Sequence, residues 1–173
     1  LLTDINFYKL FTNYEFIQII QLDCWVFKNR LDEFTNLGFD YIGAPWMVNG
    51  FEGKPIKKLW KVGNGGFSLR RVKTFISILH KILKNKEGKF PVFNSTQNNI
   101  ISWLKNKGFR NNLRHYLKKA PGEDIFWSIY IPKVFNYDEF KISDNITASF
   151  YSFEVHPKFL YNEITKGELP MGC

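Results

Sequence analysis

Tyr14–Leu22 reads YEFIQIIQL and runs straight into Asp23 and Cys24. Phe16, Ile17, Ile19 and Ile20 are aromatic or β-branched, residues that suit a pleated, packed surface better than a helix. The stretch therefore reads as a buried central strand that ends at Asp23. Before it, residues 3–11 suit a short helix capped by Thr3 or Asp4. After it, Asn29–Asn36 suits a helical turn, and Tyr41-Ile42 a short strand running into Gly43-Ala-Pro-Trp46. A loop with Gly50, Gly53 and Pro55 leads through Val62 to Gly63-Asn-Gly-Gly66, and Phe67-Ser-Leu69 reads as another strand.

The second half of the chain is mostly helical in pattern. Val72–Lys84 places apolar residues at 72, 75, 76, 79, 82 and 83, a helical spacing with lysines on the outer face. Gln97–Lys107 and Asn111–Lys119 read as helices separated by Gly108, and Glu123–Ile131 as one bounded by Pro121-Gly122 and Pro132. Thr147–Phe153 reads as a strand and Pro157–Ile164 as a last helix. Strands interleaved with helices predict a single α/β domain over 1–173, built on a mixed central sheet. Ligands of such sheets bind beyond the carboxyl ends of the strands, where Asp23 and the glycine run fall.

Composition limits the choices. The chain has 173 residues, of which 45% are hydrophobic and 18% aromatic, with 18 Phe, 8 Tyr and 5 Trp. A domain of this length buries roughly 70% of its unfolded surface, so a true core is expected and disorder is excluded. The most apolar stretch, Phe16–Phe27, is broken by Gln18, Gln21 and Asp23 and falls short of the ~20 residues of a membrane span. The net charge of +8 suggests an anionic partner: nucleic acid, a membrane surface or a phosphorylated substrate. Arg30, Arg70, Arg71, Arg110 and Arg114 are the only arginines, however, and arginine is the usual bidentate reader of phosphates and guanines. The excess is lysine, in a chain rich in Asn, Ile and Phe and with only three alanines, the bias of an A+T-rich genome. The lysine-dense stretches Lys54–Lys61, Lys81–Lys89 and Lys105–Lys119 are expected to form solvated faces. Cys24 and Cys173, far apart and without a Cys-x-x-Cys, read as free thiols of a reducing compartment. Asn94-Ser-Thr and Asn145-Ile-Thr match the glycosylation pattern, by chance in so Asn-rich a chain.

Three motifs could carry chemistry. In Gln21-Leu-Asp23, a carboxylate after a strand could hold a hard cation together with substrate phosphates, or simply cap the next turn. In Gly63-Asn64-Gly65-Gly66, the glycines imply unusual backbone angles or close approach by a ligand, or simply a tight turn between strands. The run is not a dinucleotide fingerprint, because Ser68 stands where a third glycine belongs. In Pro121-Gly-Glu123-Asp124, adjacent acids at a helix start suit either the helix dipole or general-base chemistry. His80 and His115 read as structural or surface residues, and His156 could ligate a metal but lacks a spaced partner. No His-x-x-x-His, Walker loop or Gly-x-Ser-x-Gly is present, which removes zincin, P-loop and serine-hydrolase readings.

Taken in order, FIQIIQLDCWVF, DYIGAPW, VGNGGFSLR, PGEDIFW, SFE and the closing LPMGC resemble a bacterial domain-of-unknown-function family of glycosyltransferase-like proteins met in capsule and surface-polysaccharide loci. The resemblance spans about Tyr14–Cys173. More distantly the layout is similar to glycosyltransferases of the GT-A, Rossmann-like fold. It implies that Gln21-Leu-Asp23 occupies the place of their Asp-x-Asp, with Gln21 in place of the first carboxylate. Asp23 would hold a divalent Mn²⁺ or Mg²⁺ bridging a nucleotide diphosphate, with His156 as a further candidate ligand. Gly63, Asn64, Gly65 and Gly66 would line the donor sugar, and Trp46 and Trp25 would offer stacking faces to a sugar or base. Asp124 would be the base, with Glu123 beside it. The resemblance further implies a nucleotide-sugar donor, a glycan or lipid-linked acceptor, inversion at the anomeric carbon and a cytoplasmic place at the inner face of the membrane. Few residues precede Asp23 compared with GT-A enzymes, so the chain is expected to be an incomplete copy lacking N-terminal residues, part of a longer protein. The competing readings are a non-catalytic glycan-binding or assembly module and, less favoured, a basic nucleic-acid-binding domain.

Overall fold

An aspartate that accepts a hydrogen bond from a backbone N–H two residues ahead begins the first helix: Asp4 caps α1 (Ile5–Lys9) through the amide of Asn6. The computed structural model describes residues 1–48 and 58–173, so Gly50, Gly53, Pro55 and much of the first lysine-dense stretch lie outside the described residues. From α1 the chain continues through β1 (Phe16–Ile20), α2 (Leu31–Asn36), β2 (Tyr41–Ile42), β3 (Pro45–Met47), β4 (Leu59–Val62) and β5 (Phe67–Arg71). Helices then dominate: α3 (Val72–Lys84), α4 (Ile100–Asn106), α5 (Leu113–Lys119), α6 (Glu123–Ile125), α7 (Asn145–Tyr151) and α8 (Pro157–Phe159). The fold is α/β in that it mixes helices and strands, but among the described residues every named strand pair is antiparallel, in place of the mixed sheet expected. Two compact units form, one from Leu1–Glu15 with Val72–Phe140, the other from Phe16–Arg71 with Lys141–Cys173.

The first unit is held by aromatic packing on α3. Tyr8 of α1 lies 4.9 Å from the Phe75 ring, Trp127 lies 4.2 Å from the same ring, and Phe140 lies 5.5 Å from it. All four side chains are buried. The two polar edges among them find partners, since Tyr8 Oη and Trp127 Nε1 both donate to the carbonyl of Leu2, at 2.9 and 3.0 Å. The helix read over Glu123–Ile131 is α-helical only in α6. It widens to a π-type turn over Phe126–Tyr130 and tightens to a 3₁₀ turn over Ile131–Lys133. Pro132, which cannot donate, sits in that tightened end.

The second unit is built on a three-stranded antiparallel sheet in the order β1-β5-β2, beside an antiparallel β3-β4 pair. β5 is the central strand, and β1 is therefore an edge strand. Its residues are only partly buried, in contrast to the central, buried strand expected there. A run of apolar residues specifies a strand but not its neighbours, and β5 supplies the fully buried middle with Phe67, Ser68, Leu69 and Arg70. Phe67 and Leu69 pack with Phe34, Ile42, Tyr151 and Met171.

The strand expected over Thr147–Phe153 is instead α7. The Asp144 side chain accepts from the amides of Ile146 and Thr147, both at 2.9 Å, and the resulting turn puts Ala148 and Tyr151 on one buried face. The closing residues pair along the sheet unit: Trp25 and Cys173 exchange two backbone hydrogen bonds of 3.0 Å, and Phe153 N–H donates to Gly172.

Candidate functional site

The register of β1 against β5 sets Ile20 opposite Phe67, so the residues just after one strand meet those just before the other. Gln21 N–H donates to the Gly66 carbonyl at 2.9 Å, and the Gln21 side chain lies across Gly66. A Cβ on Gly66 would stand 2.5 Å from Gln21 Oε1. The Cys24 thiol also approaches the Gly66 carbonyl, at 3.5 Å, and burial pushes it above the ordinary thiol range. Two parts of the chain that the sequence read separately, Gln21-Leu-Asp23 and Gly63–Gly66, are thus brought together at one edge of the sheet.

None of Gly63, Gly65 and Gly66 has a positive φ. The unusual backbone angles are absent, and at Gly63 and Gly66 the atoms that come close are the protein's own, as in the plainer expectation of a tight turn. The Trp46 ring lies where a Cβ of Gly63 would be, 2.3 Å from it. The Asn64 side chain accepts from Gly66 N–H at 2.6 Å, closing a tight turn.

Sequence reasoning missed the layer beneath this turn. Arg70 is fully buried; its Nε donates to Ser68 Oγ at 3.0 Å and its Nη2 reaches the Gly65 carbonyl at 3.4 Å. Tyr41 Oη donates to the carbonyls of Gly63 and Asn64 at 2.9 and 3.1 Å, and the Arg70 guanidinium stands 5.5 Å from the Tyr41 ring centre. The Tyr151 phenol, likewise buried, has no hydrogen-bond partner, and burial raises it well above the usual tyrosine range. The available signal was Ser68 and Arg70 alternating with Phe67 and Leu69 along the strand. A buried guanidinium is costly unless its donors are used, and here they reach Ser68 Oγ and the Gly65 carbonyl of the glycine turn.

The remaining candidates of this unit have different surroundings. Asp23 is exposed, and Trp25 is 68% exposed while its backbone pairs with Cys173. Trp46 is buried, donates from Nε1 to Glu154 at 3.0 Å and stacks on Trp60 at 6.2 Å; Trp60 is the open ring of the pair. His156 is exposed, in a left-handed conformation at the start of α8. Among the described residues no three His, Cys, Asp or Glu side chains form a group able to hold a metal ion. Asp23 with Gln21 supplies one carboxylate and one amide, which does not amount to a resident metal centre.

Glu123 and Asp124 belong to the first unit, in the first turn of α6. Both are partly exposed, and Asp124 Oδ1 accepts from the Ile125 amide at 2.8 Å. A Cβ on Gly122 would stand 2.3 Å from that oxygen, so glycine leaves room for the carboxylate to fold back over the helix start.

The chain belongs to the family described as "Protein of unknown function (DUF5672)", whose model matches residues 1–173. No curated protein and no solved structure matches it.

Proposed function

We propose that the chain is a GT-A-like glycosyltransferase domain whose second unit takes the nucleotide-sugar donor at the turn Gly63–Gly66. The observation that carries this reading is the seating of Gln21 on Gly66, which joins the strand end bearing Asp23 to the glycine run. The resemblance requires that juxtaposition for the donor, and residues more than forty positions apart meet in it. The exposed carboxylate of Asp23 and the amide of Gln21 offer one anionic and one neutral polar group next to backbone held from below by Arg70 and Tyr41. A donor laid on such pre-organised backbone needs little rearrangement to bind.

In the transfer itself, an acceptor hydroxyl forms a bond to the anomeric carbon as the bond from that carbon to the diphosphate oxygen breaks. The hydroxyl proton passes to a base, the role the resemblance implies for Asp124, and direct displacement inverts the anomeric centre. General-base help of this kind typically contributes ~10²–10⁴-fold. The acceptor class is a glycan or lipid-linked sugar of a surface polysaccharide.

A second reading is favoured by one specific observation, the amide of Gln21 where a carboxylate would stand. It makes the chain a non-catalytic glycan-binding module. Calorimetry of the chain with UDP-, GDP- and CMP-sugars, with and without Mn²⁺, separates the two. Binding of one donor is expected, and Asp124→Asn is expected to keep that binding while turnover falls by roughly 10²-fold or more. Glycan binding with no donor binding would replace the enzyme by the module.

A further inference from the structure

Helix α4 is turned inside out. Ser102 is its buried residue, bonded to Ser95 Oγ at 2.8 Å, while Ile100, Ile101 and Trp103 are 75%, 62% and 59% exposed. At about 100° per residue, Ser102 faces nearly opposite Ile100, with Ile101, Trp103 and Leu104 spread to either side of Ile100. The apolar face of the helix therefore looks outward. Phe109, directly after Gly108, extends it at 55% exposed. Asn99 caps the helix by accepting from Ser102 N–H at 2.8 Å, and the Ser95–Ser102 bond keeps the serine face inward.

The segment that carries this face has charge of one sign, with Glu87 and Glu123 standing just outside it. From Gly88 to Gly122 the sequence carries seven Lys and Arg residues and no Asp or Glu. Lys105, Lys107 and Arg110, on and just after α4, are exposed. Large apolar side chains held out into water beside cations, without a carboxylate in the segment, match the interfacial belt of a bilayer with an anionic headgroup layer. Tryptophan is at home at that depth, and lysine stems can lie along the apolar face with their ammonium groups in the headgroups. Nucleic acid suits the face less well. Two adjacent isoleucines gain nothing from phosphates and offer no ring to stack on a base.

We propose that α4 and the Phe109–Arg110 turn dock the protein on the surface of an anionic membrane, with Ile100, Ile101 and Trp103 entering the headgroup boundary. The proposal concerns the first unit alone and stands independently of the donor reading. No helix among the described residues is long and apolar enough to cross a membrane, so this contact is peripheral.

The test is sedimentation of the whole chain with vesicles of phosphatidylglycerol in phosphatidylcholine, against vesicles of phosphatidylcholine alone. Binding to the anionic vesicles is expected, weakened by about tenfold or more in the double variant Ile100→Ser, Ile101→Ser and in Lys105→Glu, Lys107→Glu. Both variants change exposed side chains, and circular dichroism checks that they fold. Independently, anionic vesicles are expected to shift tryptophan emission to the blue, a shift that is lost in Trp103→Phe. Failure to bind anionic vesicles overturns the proposal, and so does binding that the two serines leave intact. Binding of a single-stranded oligonucleotide in place of vesicles would assign the face to nucleic acid. Self-association removed by the serines, without vesicle binding, would assign it to a second copy.

Discussion

Gly63 and Gly66 are one turn apart and face different neighbours, so they separate stability from binding. A methyl on Gly63 meets the Trp46 indole at 2.3 Å, and that ring is buried, bonded to Glu154 and stacked on Trp60. It has nowhere simple to go, and overpacking of this kind costs about 1–3 kcal/mol. A methyl on Gly66 meets the far end of the flexible Gln21 side chain, which can swing aside. Gly63→Ala is therefore expected to lower the thermal midpoint clearly, and Gly66→Ala to leave it nearly unchanged. Under the donor reading Gly66→Ala still loses about tenfold in donor affinity, the value of one well-placed polar contact. Calorimetry and thermal denaturation on the two variants read both quantities. Equal thermal losses would mean that Gln21 is as firmly wedged as Trp46. The glycine motif itself was plain in the sequence, but its reason was not. Nothing in Gly-Asn-Gly-Gly announces that Trp46 and Gln21 lie against it, or that Arg70 and Tyr41 support it from beneath, because those contacts arise from strand register rather than local spacing.

Single elements show where sequence pattern is informative and where it fails. Helix α3 was legible because its apolar positions repeat at helical spacing over the full Val72–Lys84 length. The edge position of β1 was not, since an apolar run looks the same in the middle of a sheet as at its margin until its partners are known. In α7 the aromatic and β-branched residues favoured a strand, and the deciding signal was the small Asp144 cap just upstream. Helix α3 also carries a charge contact that pH can probe. Lys81 Nζ donates to Glu139 at 2.9 Å, and this bond, first among its influences, holds the Glu139 carboxyl below the usual range. A depressed carboxyl stabilises the folded state above its unfolded pKa of about 4.3, and that stability is lost as pH falls through the lower folded value. The pair is partly exposed, so the effect is small. Glu139→Gln is expected to lower the urea midpoint slightly at pH ~6, by an amount that shrinks as the pH falls and the Glu139 carboxyl takes up its proton. A gap that persists undiminished at low pH would place the role of Glu139 in the hydrogen bond its side chain accepts from the Asn136 amide rather than in its charge.

On the scale of the whole molecule, a net charge of +8 describes two different surfaces. In the first unit the cations of the α4 region stand among exposed apolar side chains. Around the glycine turn, the deepest cation, Arg70, is buried and spends donors on Ser68 and a backbone carbonyl. One number for charge thus suggested a single anionic partner, whereas the two proposals assign two kinds of ligand to separate parts of the chain. The two proposals then predict separate footprints in amide hydrogen exchange. A bound nucleotide-sugar is expected to slow exchange around Gln21–Cys24 and Gly63–Arg70, because it restrains a turn whose carbonyls are already held from below. Anionic vesicles are expected to slow exchange in Ile100–Arg110 and to leave the glycine turn as it was. Amide exchange reports local opening, so each footprint is read segment by segment without requiring the chain to open as one body. Donor protection at Ile100–Arg110 with none at the glycine turn would move the donor site to α4 and sink both assignments, whereas protection by each ligand at its own segment would support both.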